Sequence, residues 1–94
     1  MFEWDPEKAQ ATRLKHGVSF DEAATVFLDP DALDGPDQSH SDTEPRFRRL
    51  GKSVDGRVLM VAYTLRRTGS AETIRVISAR RASRRERAAY QAKD

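Results

Sequence analysis

The run Val58-Leu59-Met60-Val61-Ala62-Tyr63 is apolar at every position, so as a strand it presents apolar side chains to both faces of a sheet. A strand of that kind needs cover on both sides and belongs at the centre of a sheet, not at its edge. The chain has 94 residues, enough for one compact domain with one modest core. The rest of the sequence must therefore supply the neighbouring strands and the covering layers.

Arg46–Ser53 and Arg57–Leu65 flank Val54-Asp55-Gly56, whose Asp-Gly pair is a hairpin signal. A loop with Thr68-Gly69-Ser70 leads to a third strand at Thr73–Arg80. Near the start, Phe2-Glu3-Trp4 reads as a short strand, and Asp5-Pro6 opens a helix that runs to Lys15-His16. Gly17 follows where a left-handed cap residue belongs. Ser19-Phe20-Asp21-Glu22 is a capping box, and Phe20, Ala23, Ala24, Phe27 and Leu28 form one apolar stripe of a second helix that Asp29-Pro30 ends. Residues 29–45 read as an acidic loop with Leu33 as their sole large apolar residue and room for an edge strand at Ala32–Asp34. Ser83-Arg84-Arg85-Glu86 is a second capping box, opening a final helix to about Lys93. Tyr90 is its one large apolar residue, which predicts weak docking and fraying. The fold class is α+β in one domain spanning 1–94. Two N-terminal helices pack on an antiparallel sheet, built of a three-strand meander plus the short N-terminal strand, and a C-terminal helix follows.

The chain contains no cysteine, which excludes a disulfide framework, a thiolate nucleophile and a cysteine zinc site. No apolar run approaches the roughly 20 residues that a membrane-spanning helix needs. The acidic, aromatic start Met1-Phe2-Glu3-Trp4-Asp5 is unlike a secretory signal, so a cytoplasmic protein is expected. The net charge of +2 conceals a division. Residues 1–45 hold three Lys or Arg against eleven acids, a net of −8, and residues 46–94 hold fourteen against four, a net of +10. Either the second half offers a surface to nucleic acid or an acidic partner, or the two halves neutralise each other on folding.

Arginine is the densest feature of the basic half: Arg46, Arg48, Arg49, Arg57, Arg66, Arg67, Arg75, Arg80, Arg81, Arg84, Arg85 and Arg87. Its rigid fork suits phosphate oxygens. Arg84, Arg85 and Arg87 read as a solvated helix face. Arg75 interrupts an apolar strand, so it either pairs with a buried acid or lines a site. Strict alternation puts Arg75 and Arg80 on opposite faces, and they share one only if the strand bulges or ends before Arg80. Cleaving RNA without a metal takes a base for the 2′-hydroxyl, cations for the phosphorane and an acid for the leaving oxygen. Arginine serves the second role and cannot be the base. The proton-handling candidates are His16, His40, Glu44, Tyr63 and a desolvated Lys15. Lys15 and His16 have a structural reading too, as cations in a last helical turn. Asp37, His40, Asp42 and Glu44 match no metal-ligand spacing, and no metal or other cofactor is expected.

The segments Phe2-Glu3-Trp4-Asp5, Lys8, Lys15-His16-Gly17-Val18-Ser19-Phe20 and Glu22-Ala23 resemble the N-terminal signature of BrnT-type toxins. Glu44, Arg46, Gly51, Tyr63-Thr64, Ile74-Arg75-Val76-Ile77-Ser78-Ala79-Arg80, Glu86 and Tyr90 continue the resemblance in order and spacing over nearly the whole chain. Thr12 departs from it, standing where an Asn is common in that family. The resemblance implies a fold similar to RelE-like ribonucleases and RNA cleavage that halts translation. It also implies neutralisation by a BrnA-type ribbon-helix-helix antitoxin, with operator DNA engaged only through that antitoxin. On this reading Arg80 and Arg75, with His16, Lys15 and Glu44, carry the catalysis, while Arg46, Arg48, Arg49 and Tyr63 bind RNA. Two other readings stay open on the residues alone. One is a non-catalytic basic module that binds an acidic antitoxin or serves in a repressor complex. The other is a metal-dependent nuclease using the Asp37–Glu44 loop.

Overall fold

The computed structural model describes residues 1–37 and 44–92. Five strands form one sheet in the order β1 (Phe2–Glu3), β5 (Ala71–Arg81), β4 (Val58–Thr68), β3 (Phe47–Lys52), β2 (Leu33–Pro36). Three helices accompany it: α1 (Pro6–His16), α2 (Phe20–Thr25), which tightens into a 3₁₀ turn at Val26–Leu28, and α3 (Arg84–Ala92). The chain is thus α+β as expected, but the sheet is mixed, because β1 runs parallel to β5. It also holds five strands, with β2 pairing Leu33–Pro36 against Phe47–Leu50.

The doubly apolar run lies in β4, the middle strand. Its odd-numbered Leu59 and Val61 bury with Val18, Phe20, Ala23, Val26, Val76 and Ala79, on the face that α2 covers. Tyr63 follows on that face and meets Phe27 edge-on, with ring centroids 4.9 Å apart. The even-numbered Val58 and Met60 pack with Leu50, Ala82 and Tyr90, so α3 covers one end of the other face. Each face of the central strand therefore meets a different helix, and α3 covers only one end of its face.

Three local features depart from the sequence expectations. Residues 66–68 and 71–72, expected as loop, continue β4 and β5, which close on a turn through Gly69 at φ 64°. The second helix tightens after Thr25, and its stripe rotates: Val26 is fully buried and Leu28 is 77% exposed. The expected stripe through Leu28 fails for that reason. Ser19 Oγ does accept from the Glu22 N–H at 3.0 Å, but the Glu22 carboxylate does not return to the cap. It instead accepts from Arg57 and from Ser53 Oγ, the latter at 2.7 Å, tying α2 to the β3–β4 hairpin.

The final helix is docked more firmly than its composition predicts. Tyr90 is buried, and its hydroxyl donates to Asp29 Oδ2 at 2.6 Å. The same oxygen accepts the Lys52 N–H at 2.8 Å, so one carboxylate joins α3 to β3. Close approach at this point requires glycine. A Cβ on Gly51 would stand 2.8 Å from Val26 Cγ1 and 2.9 Å from Ala32 Cβ.

The β4–β5 ladder carries a bulge. Ala62 pairs with Ser78 and Tyr63 with Val76, leaving Ile77 without a partner. Val76 and Ala79, three apart, consequently both face the α2 core. By the same shift Arg75, Ser78 and Arg80 share the opposite face.

Candidate functional site

Where α3 leaves that opposite face uncovered, a cleft of about 590 Å³ lies between α1, β3 and the C-terminal half of β5. β1 pairs with β5 only at Ile74 and Arg75, so beyond them the edge of β5 is left to α1, which packs along it. One helical stripe lines that wall: Lys8, Thr12 and His16, at i, i+4 and i+8. Across the cleft, Arg46, just ahead of β3, and Arg48, within it, both line the wall. Ser78 and Arg80 come from β5 beyond the bulge, and the small side chains of Ala62 and Ala79 contribute to the lining. Asp37, buried, closes the β3 side, with its N–H donating to the Arg46 carbonyl at 2.9 Å.

Arg80 is held in place from behind. Its Nη1 and Nη2 donate to the two carboxylate oxygens of Glu86 at 2.7 and 2.9 Å, and Nη1 also reaches the Arg81 carbonyl at 3.3 Å. Glu86 is fixed in turn as half of a closed capping box. Glu86 Oε1 accepts the Ser83 N–H at 2.8 Å, and Ser83 Oγ accepts the Glu86 N–H at 3.1 Å. The Arg80 guanidinium beside it pulls the Glu86 carboxyl down to about 2. The same contact raises the Arg80 guanidinium further above its ordinary value. At neutral pH both partners are charged.

Four of the sequence candidates thus converge on the cleft: His16, Arg46, Arg48 and Arg80. The others lie outside it. Lys15 is one position off the Lys8–Thr12–His16 stripe, which turns it roughly 100° around the helix. Arg75 shares the open face but pairs with Glu3, Nη1 to Oε2 at 2.6 Å, which selects the acid-pairing reading over the site-lining one. Glu44 lies 3.8 Å from Arg66, which is also 3.9 Å from Glu3, at that same edge. Arg49 points to the α2 face, where it donates to Asp34 Oδ2 at 2.6 Å and to the carbonyls of Val26 and Asp29. Its guanidinium also lies over the Phe27 ring, 5.0 Å from the centroid. Tyr63 is buried on that face and donates to Asp34 Oδ1 at 2.8 Å. Burial and then the Asp34 bond push its phenol above its ordinary value, so it holds its proton. His40 and Asp42 lie outside the described residues.

Lys8, Thr12, Ser78 and Asp37 also line the cleft and were not singled out for this role from the sequence. The i, i+4, i+8 spacing of Lys8, Thr12 and His16 was a usable signal for the first two. Among the described residues, no group of three His, Asp or Glu side chains is placed to hold a metal ion. Among them too, no helix is long and apolar enough to cross a membrane.

The cleft is cationic, with Lys8, Arg46, Arg48 and Arg80 around one imidazole and one carboxylate. That arrangement can bind a phosphodiester and move a proton beside it. Residues 4–86 match the family model described as ribonuclease toxin, BrnT, of type II toxin–antitoxin systems. No curated protein matches the chain. The crystal structure of the Brucella abortus ribonuclease toxin BrnT is similar, with a TM-score of 0.64 and 25% sequence identity over 89% of this chain and 99% of that one.

Proposed function

The chain belongs to the BrnT family of ribonuclease toxins of type II toxin–antitoxin systems, and from that premise we propose that the α1–β3–β5 cleft is the site at which it cleaves RNA, without a metal. The observation that carries this reading is the convergence of His16, Arg46, Arg48 and Arg80, drawn from three separate elements, on one cavity.

In this mechanism Arg46, Arg48 and Lys8 draw the RNA backbone into the cleft, and Arg80 contacts the scissile phosphate. His16 accepts the proton of the 2′-hydroxyl, whose oxygen attacks phosphorus. The P–O5′ bond breaks, and O5′ takes a proton from solvent water as it leaves, while His16 returns its own proton to solvent. The products are a 2′,3′-cyclic phosphate and a 5′-hydroxyl. Negative charge gathers on the phosphorane oxygens, and preorganised guanidinium groups stabilise that charge more than the ground state. Asp37, which lines the same cleft, sets one carboxylate among its cations.

The antitoxin in this account is BrnA-type, with a ribbon-helix-helix domain that alone contacts operator DNA. It neutralises by covering the cationic cleft, a reading that the +10 second half supports. Cleavage halts translation, and the fold is taken as RelE-like. The test is end-group analysis of RNA cut by the purified chain and by His16→Asn. Cyclic phosphate ends, formed at least about tenfold more slowly by the variant, support the mechanism. Products with 5′-phosphate ends contradict it.

A further inference from the structure

A guanidinium has two forks: an end-on pair formed by Nη1 and Nη2, and a side-on pair formed by Nε and the outer hydrogen of Nη2. Glu86 fills the end-on fork of Arg80, and the Arg81 carbonyl takes the remaining Nη1 hydrogen. Among the described residues, no acceptor meets Arg80 Nε or the second Nη2 hydrogen. Arg80 lines the cleft with its side chain 41% exposed.

We propose that Glu86 is the positioning residue of the ribonuclease site, fixing the Arg80 guanidinium so that its side-on Nε–Nη2 fork is the edge presented to the RNA phosphate. This rests on the assignment of Arg80 to phosphate contact made above. Arginine has four side-chain torsions, and an unanchored guanidinium spends most of its time in geometries that miss a phosphate. Glu86 removes that freedom before RNA arrives. Its carboxylate is itself held, because Oε1 accepts the Ser83 backbone N–H and Tyr90 anchors the same helix. The helix α3 therefore acts as the backing of an arginine that the sheet supplies. The carboxylate touches no RNA atom, so its effect belongs to the chemical step and not to capture of the substrate.

Two substitutions separate positioning from helix capping. Glu86→Gln keeps a capping-box residue, since a Gln Oε1 accepts the Ser83 N–H equally, but it cannot hold both Nη atoms as a carboxylate does. Ser83→Ala removes one cap bond and leaves the Arg80–Glu86 fork. Kinetics on a defined single-stranded RNA, with melting curves for each protein, give the readout. Glu86→Gln is expected to lower kcat by about tenfold or more with KM within about twofold, while Ser83→Ala stays within about twofold of the parent kcat. Wild-type kcat in Glu86→Gln, with Arg80→Ala inactive, overturns the positioning role and leaves the cleft assignment standing. Equal losses of kcat in Glu86→Gln and Ser83→Ala, each tracking a lowered melting temperature, also overturn it. Full activity in Arg80→Ala removes the assignment on which the proposal rests, and the proposal with it.

Discussion

Tyr90 donates its hydroxyl hydrogen to Asp29 Oδ2 at 2.6 Å across 61 positions of sequence, and this bond fastens the last helix to the end of the second. The oxygen it reaches is already bonded to the β3 backbone through the Lys52 N–H. The helix so fastened carries Glu86, which holds Arg80 at the cleft. Docking of α3 and order in the cleft are therefore one problem.

Tyr90→Phe keeps the ring and removes the hydroxyl with its bond to the Asp29 carboxylate, so a loss of about 1–3 kcal/mol is expected. Urea unfolding measures it. A midpoint equal to that of the parent would mean that ring burial alone docks the helix.

Gly51→Ala tests the close approach of β3 to the 3₁₀ turn. Its methyl collides with Val26 Cγ1 and Ala32 Cβ, both buried or half-buried, so neither side can yield freely. A destabilisation of about 1–3 kcal/mol is predicted, read as a lower melting temperature. An unchanged melting temperature sinks this account of the packing.

Stability in acid follows from two carboxyls. The Arg57 bond holds Glu22 below the usual carboxylate range, and Arg80 holds Glu86 down to about 2. Unfolded, each titrates near 4.3. A depressed folded value adds stability that is present above the unfolded value and lost as pH falls through the folded one. The protein should therefore weaken as pH falls from about 4.5 toward 2, and Glu22→Gln with Glu86→Gln should flatten that fall. Urea midpoints at a series of pH values decide it. A double variant as acid-sensitive as the parent contradicts the attribution.

Arg46 and Arg48 are assigned to the RNA backbone, so their removal should change salt dependence as well as affinity. For every phosphate that the variant no longer neutralises, the slope of log K against log salt should fall by about 0.7 on single-stranded RNA. Arg46→Gln/Arg48→Gln should also weaken the antitoxin complex, if the antitoxin covers the same cations. Titrations of a 2′-O-methyl RNA and of the antitoxin measure both quantities. An unaltered slope removes these arginines from the RNA path, and unaltered antitoxin affinity removes the occlusion account.

Much of the fold was legible because local chemistry and tertiary structure agree. The run 58–63 announced the central strand, Gly17 adopts its left-handed cap at φ 68°, and Asp5 and Ser83 cap the helices they precede. What escaped the sequence depends on partners far away in the chain. The bulge at Ile77 has no local signal, yet it decides that Arg75 and Arg80 share a face. Arg75 then proves to be tied to Glu3, 72 positions away. Glu22 had every local reason to complete its capping box, but Arg57 supplies a stronger partner. Arg49 and Tyr63 looked like surface RNA contacts. The register of β3 and β4 turns both toward α2, where Asp34 receives them. Of the site itself, residue types were readable and geometry was not: His16 was chosen over Lys15 by the pitch of α1 alone.

The central claim is that this cleft cuts RNA with its own side chains. The direct measurement is incubation of a defined single-stranded RNA with the purified chain, with and without chelator, beside a folded Arg80→Ala variant. The account predicts cleavage that persists in chelator and disappears in the variant. Cleavage that stops in chelator, or that continues undiminished in Arg80→Ala, contradicts it.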